Sequence, residues 1–65
     1  MSQVKLPSNA TVLYISGVAS LVKGSDKPLA AGEYLKAGDM LDVAEPTLIE
    51  FLGEDGGIYF MSAVK

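Results

Sequence analysis

Apolar and polar positions alternate with period two along most of this chain, the pattern of strands buried on one face. It is clearest in TLIEFL (47–52), where Ile49 and Phe51 share one face and Leu48, Glu50 and Leu52 the other. IYFM (58–61) repeats the pattern; folded back across GEDGG (53–57), it sets Ile58 and Phe60 on the core side with Ile49 and Phe51. The Asp55-Gly56 step is the strongest hairpin signal in the sequence and predicts a type I′ turn. MLDVA (40–44) alternates Leu41 and Val43 against Met40 and Asp42. TVLYISGVASLVKG (11–24) is rich in β-branched residues, and its odd positions, Leu13, Ile15, Gly17, Ala19 and Leu21, form the more consistently apolar or small face. A helical stripe through Val12, Ile15, Val18 and Val22 competes, but Gly17 and the β-branched content favour a strand. Gly17 then marks a bulge, a bend or a point of close packing.

Turns divide these runs. GSDKP (24–28) is one: Gly24 supplies positive φ, Asp26 can bond its own backbone, and Pro28 cannot join a central ladder. EPT (45–47) is another. Between them, Leu29 to Leu35 and Leu35 to Leu41 share the form Leu-x-Ala-Gly-acid-x-Leu, through Gly32-Glu33 and Gly38-Asp39. A hexapeptide β-helix would produce such a repeat, but a solenoid needs roughly three or more copies. The simpler expectation is two consecutive turns with Gly32 and Gly38 at positive φ and the leucines aimed into one core. Residues 1–11 are expected as a flexible N-terminal arm, and 12–65 as a single small β domain. The fold class is all-β: a small β-roll or sandwich of about six short, mostly antiparallel strands.

The chain's size sharpens what it can do. Sixty-five residues bury only about 60% of the surface of the unfolded chain. With no Cys, disulfides and thiolate metal sites are excluded, which leaves a regular core, a partner, or residence in a longer protein. The charge is -3, from eight acids and five Lys, with no Arg to fork onto phosphate or guanine, so nucleic acid is not an expected partner. No apolar run approaches the ~20 residues of a membrane span, and MSQVKLPSNA lacks the apolar stretch of a signal peptide.

Candidate chemistry is sparse. There is no His, so Ser8, Ser16, Ser20, Ser25 and Ser62 lack the usual base. Asp39 with Asp42, or Glu54 with Asp55, are nominal acid–base pairs that read more simply as turn and surface acids. GEDGG lacks the spaced acids of a calcium loop, and Asp39, Asp42 and Glu45 are ordinary for an exposed edge, so calcium is not expected. No cofactor is expected, and neither is catalysis. The structural turns are assigned to Gly32, Gly38, Asp39, Asp55 and Gly56. The candidate binding surface is Tyr14, Tyr34 and Tyr59, because Tyr offers rigid amphipathic contact area.

Taken in order, Val12 to Gly17, Leu29, Gly32, Leu35, Gly38-Asp39, Leu41, Ile49-Glu50-Phe51, Asp55-Gly56, Ile58, Phe60 and Ser62 resemble the FecR-type domain of bacterial envelope proteins, over about residues 12–64. The phrase from Leu35 through Gly38-Asp39 to Leu41 also resembles the amino-terminal retention module of giant secreted bacterial adhesins. The resemblance implies a non-catalytic protein-interaction module in signal relay or retention. It would lie in the cell envelope or periplasm, or be secreted as part of a larger protein. The alternative is a small standalone cytoplasmic or phage-encoded protein that binds a partner or itself through sheet edges. A carbohydrate or metal binder using Tyr and acid side chains is a further option.

Overall fold

The computed structural model describes residues 2–23 and 27–64. They form an all-β fold of seven strands: β1 (Ser2–Lys5), β2 (Ala10–Ser16), β3 (Ala19–Leu21), β4 (Tyr34–Leu35), β5 (Met40–Val43), β6 (Thr47–Gly53) and β7 (Ile58–Ala63). Two antiparallel sheets result, a three-stranded one in the order β1-β5-β3 and a four-stranded one in the order β4-β2-β6-β7. The fold class is the one the alternation predicts, with one strand more than expected.

The extra strand is β1. Residues 1–11 were expected as a flexible arm, yet Ser2 to Lys5 pair with Val43 to Met40, and Ala10 already begins β2. The cause is a short apolar alternation. Val4 packs on the core and Leu6 is buried in it, while Gln3 and Lys5 face water. The Leu6 amide donates to the Asp39 carbonyl at 2.9 Å, and the Leu6 carbonyl accepts from the Gly38 amide at 2.8 Å. The domain therefore takes in residues 2–11 of the expected arm.

The core lies between the sheets. Leu35, Leu41, Ile49, Val12 and Val43 are its fully buried large side chains. Strand β6 shows the cleanest alternation, burying Thr47, Ile49, Phe51 and Gly53 and turning Leu48, Glu50 and Leu52 outward. In β2 the phase changes midway. Ala10 and Val12 point inward, the ladder shifts between Val12 and Tyr14, and Ile15 then packs on the core. This bulge leaves Leu13 exposed, so the odd-position face is not one continuous inner face.

Gly17 ends β2 and lets the chain cross to the other sheet. Its φ is 110°, and a Cβ there would collide with Thr47 Oγ1 and sit 2.7 Å from the Pro46 carbonyl oxygen. It is both a bend and a point of close approach. Thr47, the buried polar side chain of the core, ties the crossing down. Its hydroxyl accepts from the Val18 amide at 3.1 Å and can donate to the carbonyl of Ala44 or of Val18.

The two Leu-x-Ala-Gly-acid-x-Leu segments are a pair of matching turns and not a solenoid. In each, Gly is the third residue at positive φ (96° at Gly32, 90° at Gly38), as a type II turn demands. In each, the acid closes the turn twice. The Glu33 amide donates to the Ala30 carbonyl and its carboxylate accepts from the Ala30 amide at 2.9 Å. Asp39 makes the same pair of bonds with Lys36, at 3.1 and 2.9 Å. The turn expected at 24–28 falls largely outside the described residues. Its last member, Pro28, bridges Ser20, and the Leu29 amide donates to the Ala19 carbonyl, which covers the free side of β3.

Candidate binding surface

The β6–β7 hairpin forms where Asp55-Gly56 places it, but with a different turn. Gly56 has positive φ and Asp55 does not, whereas type I′ needs both. The Gly56 amide bonds the Gly53 carbonyl, and the Gly53 amide bonds the Gly57 carbonyl at 2.8 Å. This is a three-residue loop with a glycine bulge. The loop adds one residue to the register, so Phe51 faces Tyr59 and Glu50 faces Phe60. A one-residue shift exchanges the two faces of a strand. Ile58 and Phe60, expected in the core, therefore lie outside, with Phe60 66% exposed. Tyr59, Met61 and Ala63 take the inward side, and of these Met61 and Ala63 pack against the core.

The outward face of the four-stranded sheet is consequently apolar. One cross-strand row runs Tyr34, Thr11, Leu52, Ile58. The next runs Tyr14, Glu50, Phe60, and the third Ser16, Leu48, Ser62. Tyr14, Tyr34, Leu48, Leu52, Ile58 and Phe60 are all exposed on it. Of the three tyrosines proposed as one surface, Tyr14 and Tyr34 share this face. Tyr59 lies on the opposite side of the sheet. The miss follows from the loop, since the sequence shows an Asp-Gly step but not whether its loop holds two residues or three.

On the inward side of β7 the sandwich is open. The three-stranded sheet does not cover it, and a groove of about 410 Å³ runs there between β7 and the residues that follow β1. Leu6, Pro7, Ser8, Ala10, Phe51, Tyr59, Phe60 and Met61 line it.

Polar groups cluster at the hairpin end. The Tyr59 hydroxyl donates to Asp55 Oδ2 at 2.6 Å, and Asp55 Oδ1 accepts from the Gly57 amide at 2.8 Å. The bond from Tyr59, then that from Gly57, holds the Asp55 carboxyl below its ordinary range, and Asp55 in turn pushes the Tyr59 hydroxyl up. Glu54 accepts from the Tyr34 hydroxyl at 3.1 Å and from Asn9 Nδ2 at 3.0 Å, while Asn9 Oδ1 accepts from the Ala37 amide. Desolvation, then the bond to Glu54, raises the Tyr34 hydroxyl. These bonds stitch loops together. The acids satisfy amides and hydroxyls of the turns, and Asp39 does the same for Lys36. Among the described residues, no three acid, His or Cys side chains gather as a metal site, and no helix is long and apolar enough to cross a membrane.

The free edges of the sheets differ. Strand β1 is short and carries Lys5, with Pro7 just beyond it. Pro28 covers β3. Strand β4 has two residues, flanked by Glu33 and Lys36. Strand β7 is six residues long, with no charge and no proline from Ile58 to Ala63. Lysines, prolines and short length are the usual means of blunting an edge. Of the four described edge strands, β7 alone has none of them. No protein-family model, curated protein or solved structure matches the chain.

Proposed function

We propose that this domain is a non-catalytic protein-interaction module that takes an extended segment of a partner onto the edge of β7. The observation that carries the reading is the coincidence at one strand of an unblunted edge, an apolar outward face and an open apolar groove. An added strand gains main-chain hydrogen bonds from the edge, and its alternate side chains fall on the two sides of the sheet. Here one set would enter the groove beside Tyr59 and Met61 and the other would extend the face bearing Ile58 and Phe60. The resemblance to FecR-type domains and adhesin retention modules supports a setting in a bacterial envelope or secretion system, as signal relay or retention.

The test uses a defined probe, an acetylated and amidated seven-residue peptide of alternating Thr and Val. Titrated into dilute isotopically labelled protein, it is expected to shift the amides of β7 and slow the hydrogen exchange of Ile58, Phe60 and Ser62. An unchanged β7 at millimolar peptide overturns the reading.

A further inference from the structure

The edge of β7 is complementary to itself. The bond from the Gly53 amide to the Gly57 carbonyl fixes the phase of the β6–β7 ladder. Bonded and non-bonded pairs alternate along an antiparallel ladder, so Tyr59, Met61 and Ala63 direct their backbone groups toward β6. Ile58, Phe60 and Ser62 direct theirs to the open side. Those three positions are symmetric about Phe60. We infer that the first occupant of the β7 edge is the β7 edge of a second copy, paired antiparallel about a two-fold axis at Phe60. The inference rests on the strand-accepting reading above and names its partner.

In this register Phe60 faces Phe60 of the second copy, and Ile58 faces Ser62 of the second copy, all as bonded pairs. Every outward backbone donor and acceptor of Ile58, Phe60 and Ser62 is used. Moving the centre to Tyr59 or Met61 leaves some of them unpaired. The two-fold stands perpendicular to the sheet, so both apolar faces lie on one side. On the other side Tyr59 comes opposite Met61 of the second copy, the closer kind of pair at about 4.5 Å between Cα atoms. That places an aromatic ring and a thioether over the mouth of the groove.

Charge selects the edge over the face. The chain carries -3, and β7 is a strand on which two copies meet without opposing like charges. Stacking the outward faces instead would press Glu50, which sits between Tyr14 and Phe60, toward Glu50 of the second copy. Unpaired carboxylates at a closed contact are costly. Edge pairing leaves them in water.

Three measurements decide it. Sedimentation of the intact chain is expected to show a mass rising from 6.8 kDa toward twice that value with concentration. Phe60→Lys sets two ammonium groups against each other at the axis and is expected to weaken association by about a hundredfold or more, with the far-ultraviolet spectrum unchanged. The chain has no Cys, so single-Cys variants report the register directly. Phe60→Cys, whose two copies would face each other as a bonded pair with Cβ atoms too far apart for a relaxed disulfide, is expected to be joined into a covalent dimer by a short bis-alkylating reagent. Ile58→Cys alone is not, since its two copies would stand roughly 14 Å apart at 3.4 Å per residue. Ile58→Cys mixed with Ser62→Cys is expected to cross-link. A species of 6.8 kDa at every concentration, with no Phe60→Cys dimer, overturns the inference. So does a dimer indifferent to Phe60→Lys, or cross-linking by Ile58→Cys alone. If the Thr-Val peptide still protects β7 in that case, strand acceptance stands and only the identity of the strand was wrong.

Discussion

The two sheets bury one core between them and turn different faces to water. The three-stranded sheet presents Gln3, Lys5, Ser20 and Asp42 with Met40 among them and Val22 at its margin, a mostly polar exterior over an apolar interior. The four-stranded sheet presents Tyr14, Tyr34, Leu48, Leu52, Ile58 and Phe60. Both sheets obey the same period-two alternation, so the difference is not one of folding pattern. An outward row of polar residues is all that a free-standing sandwich requires. An outward row of leucines and aromatics in a contiguous patch is a mark of a surface that meets something. Stability comes from the shared interior, and the recognition proposed above falls to the apolar sheet alone.

Substitutions on the two sides of β6 and β7 put that division to the test. Phe51→Ala removes a ring from the shared core and is expected to cost about 3–5 kcal/mol in urea unfolding, enough to unfold much of a domain this small. Phe60→Ala, the same change on the outward face, is expected to alter monomer stability by about 0.5 kcal/mol or less. Comparable costs for the two would break the assignment.

The tie between the sheets ranks next. Gly17→Ala must hold a Cβ at φ 110° against Thr47 and the Pro46 carbonyl, whereas Gly38→Ala meets open space at φ 90°. Both carry backbone strain of about 1–3 kcal/mol, and the collision makes Gly17→Ala the worse of the two on thermal melting. Equal melting temperatures would mean that the crossing is looser than described. Thr47→Val keeps the shape but leaves the Val18 amide without its partner, an expected loss of about 1–3 kcal/mol by chemical unfolding.

The smallest effect concerns pH at the hairpin end. Asp55 is held down, so the stability it lends is complete above its ordinary 3.8 and fades as the pH falls through its lower folded value. Tyr59 is raised, so its part is complete below 10.0 and fades as the pH climbs through its higher folded value. Titration by carbon-13 shifts is expected to place Asp55 below and Tyr59 above these marks. Asp55→Asn is expected to bring Tyr59 back toward 10.0. Leu48 and Leu52, on the outward face, should not feel the change.

Much of this division is visible in the sequence. Ile49, Phe51, Leu41 and Val43 declare the inner faces of β6 and β5 by alternation alone, and Gly32 and Gly38 declare their turns. The outward face is harder to see, because two added residues decide it. The bulge at Leu13 reverses the phase of β2, and the glycine bulge at the hairpin reverses that of β7. Each is a local backbone choice that the residue types leave open, yet each exchanges inside for outside along everything that follows. The first strand is hidden for another reason. Val4 and Leu6 are too few to stand out until β5 offers them an edge.

The strand order has a consequence for how the molecule comes into being. Strands β1, β3 and β5 make one sheet and β2, β4 and β6 the other, so every connection but the last crosses from layer to layer. Before β6, no two strands adjacent in sequence pair with each other. A chain emerging from the ribosome would hold β1 and β3 unpaired until β5 arrives, and most of β2 until β6 does. Topologies ruled by such distant pairings assemble slowly for their size. During that interval the charge-free β7 has not yet been made, and the edge most prone to stray pairing appears last, when the rest of the sandwich is ready to hold it.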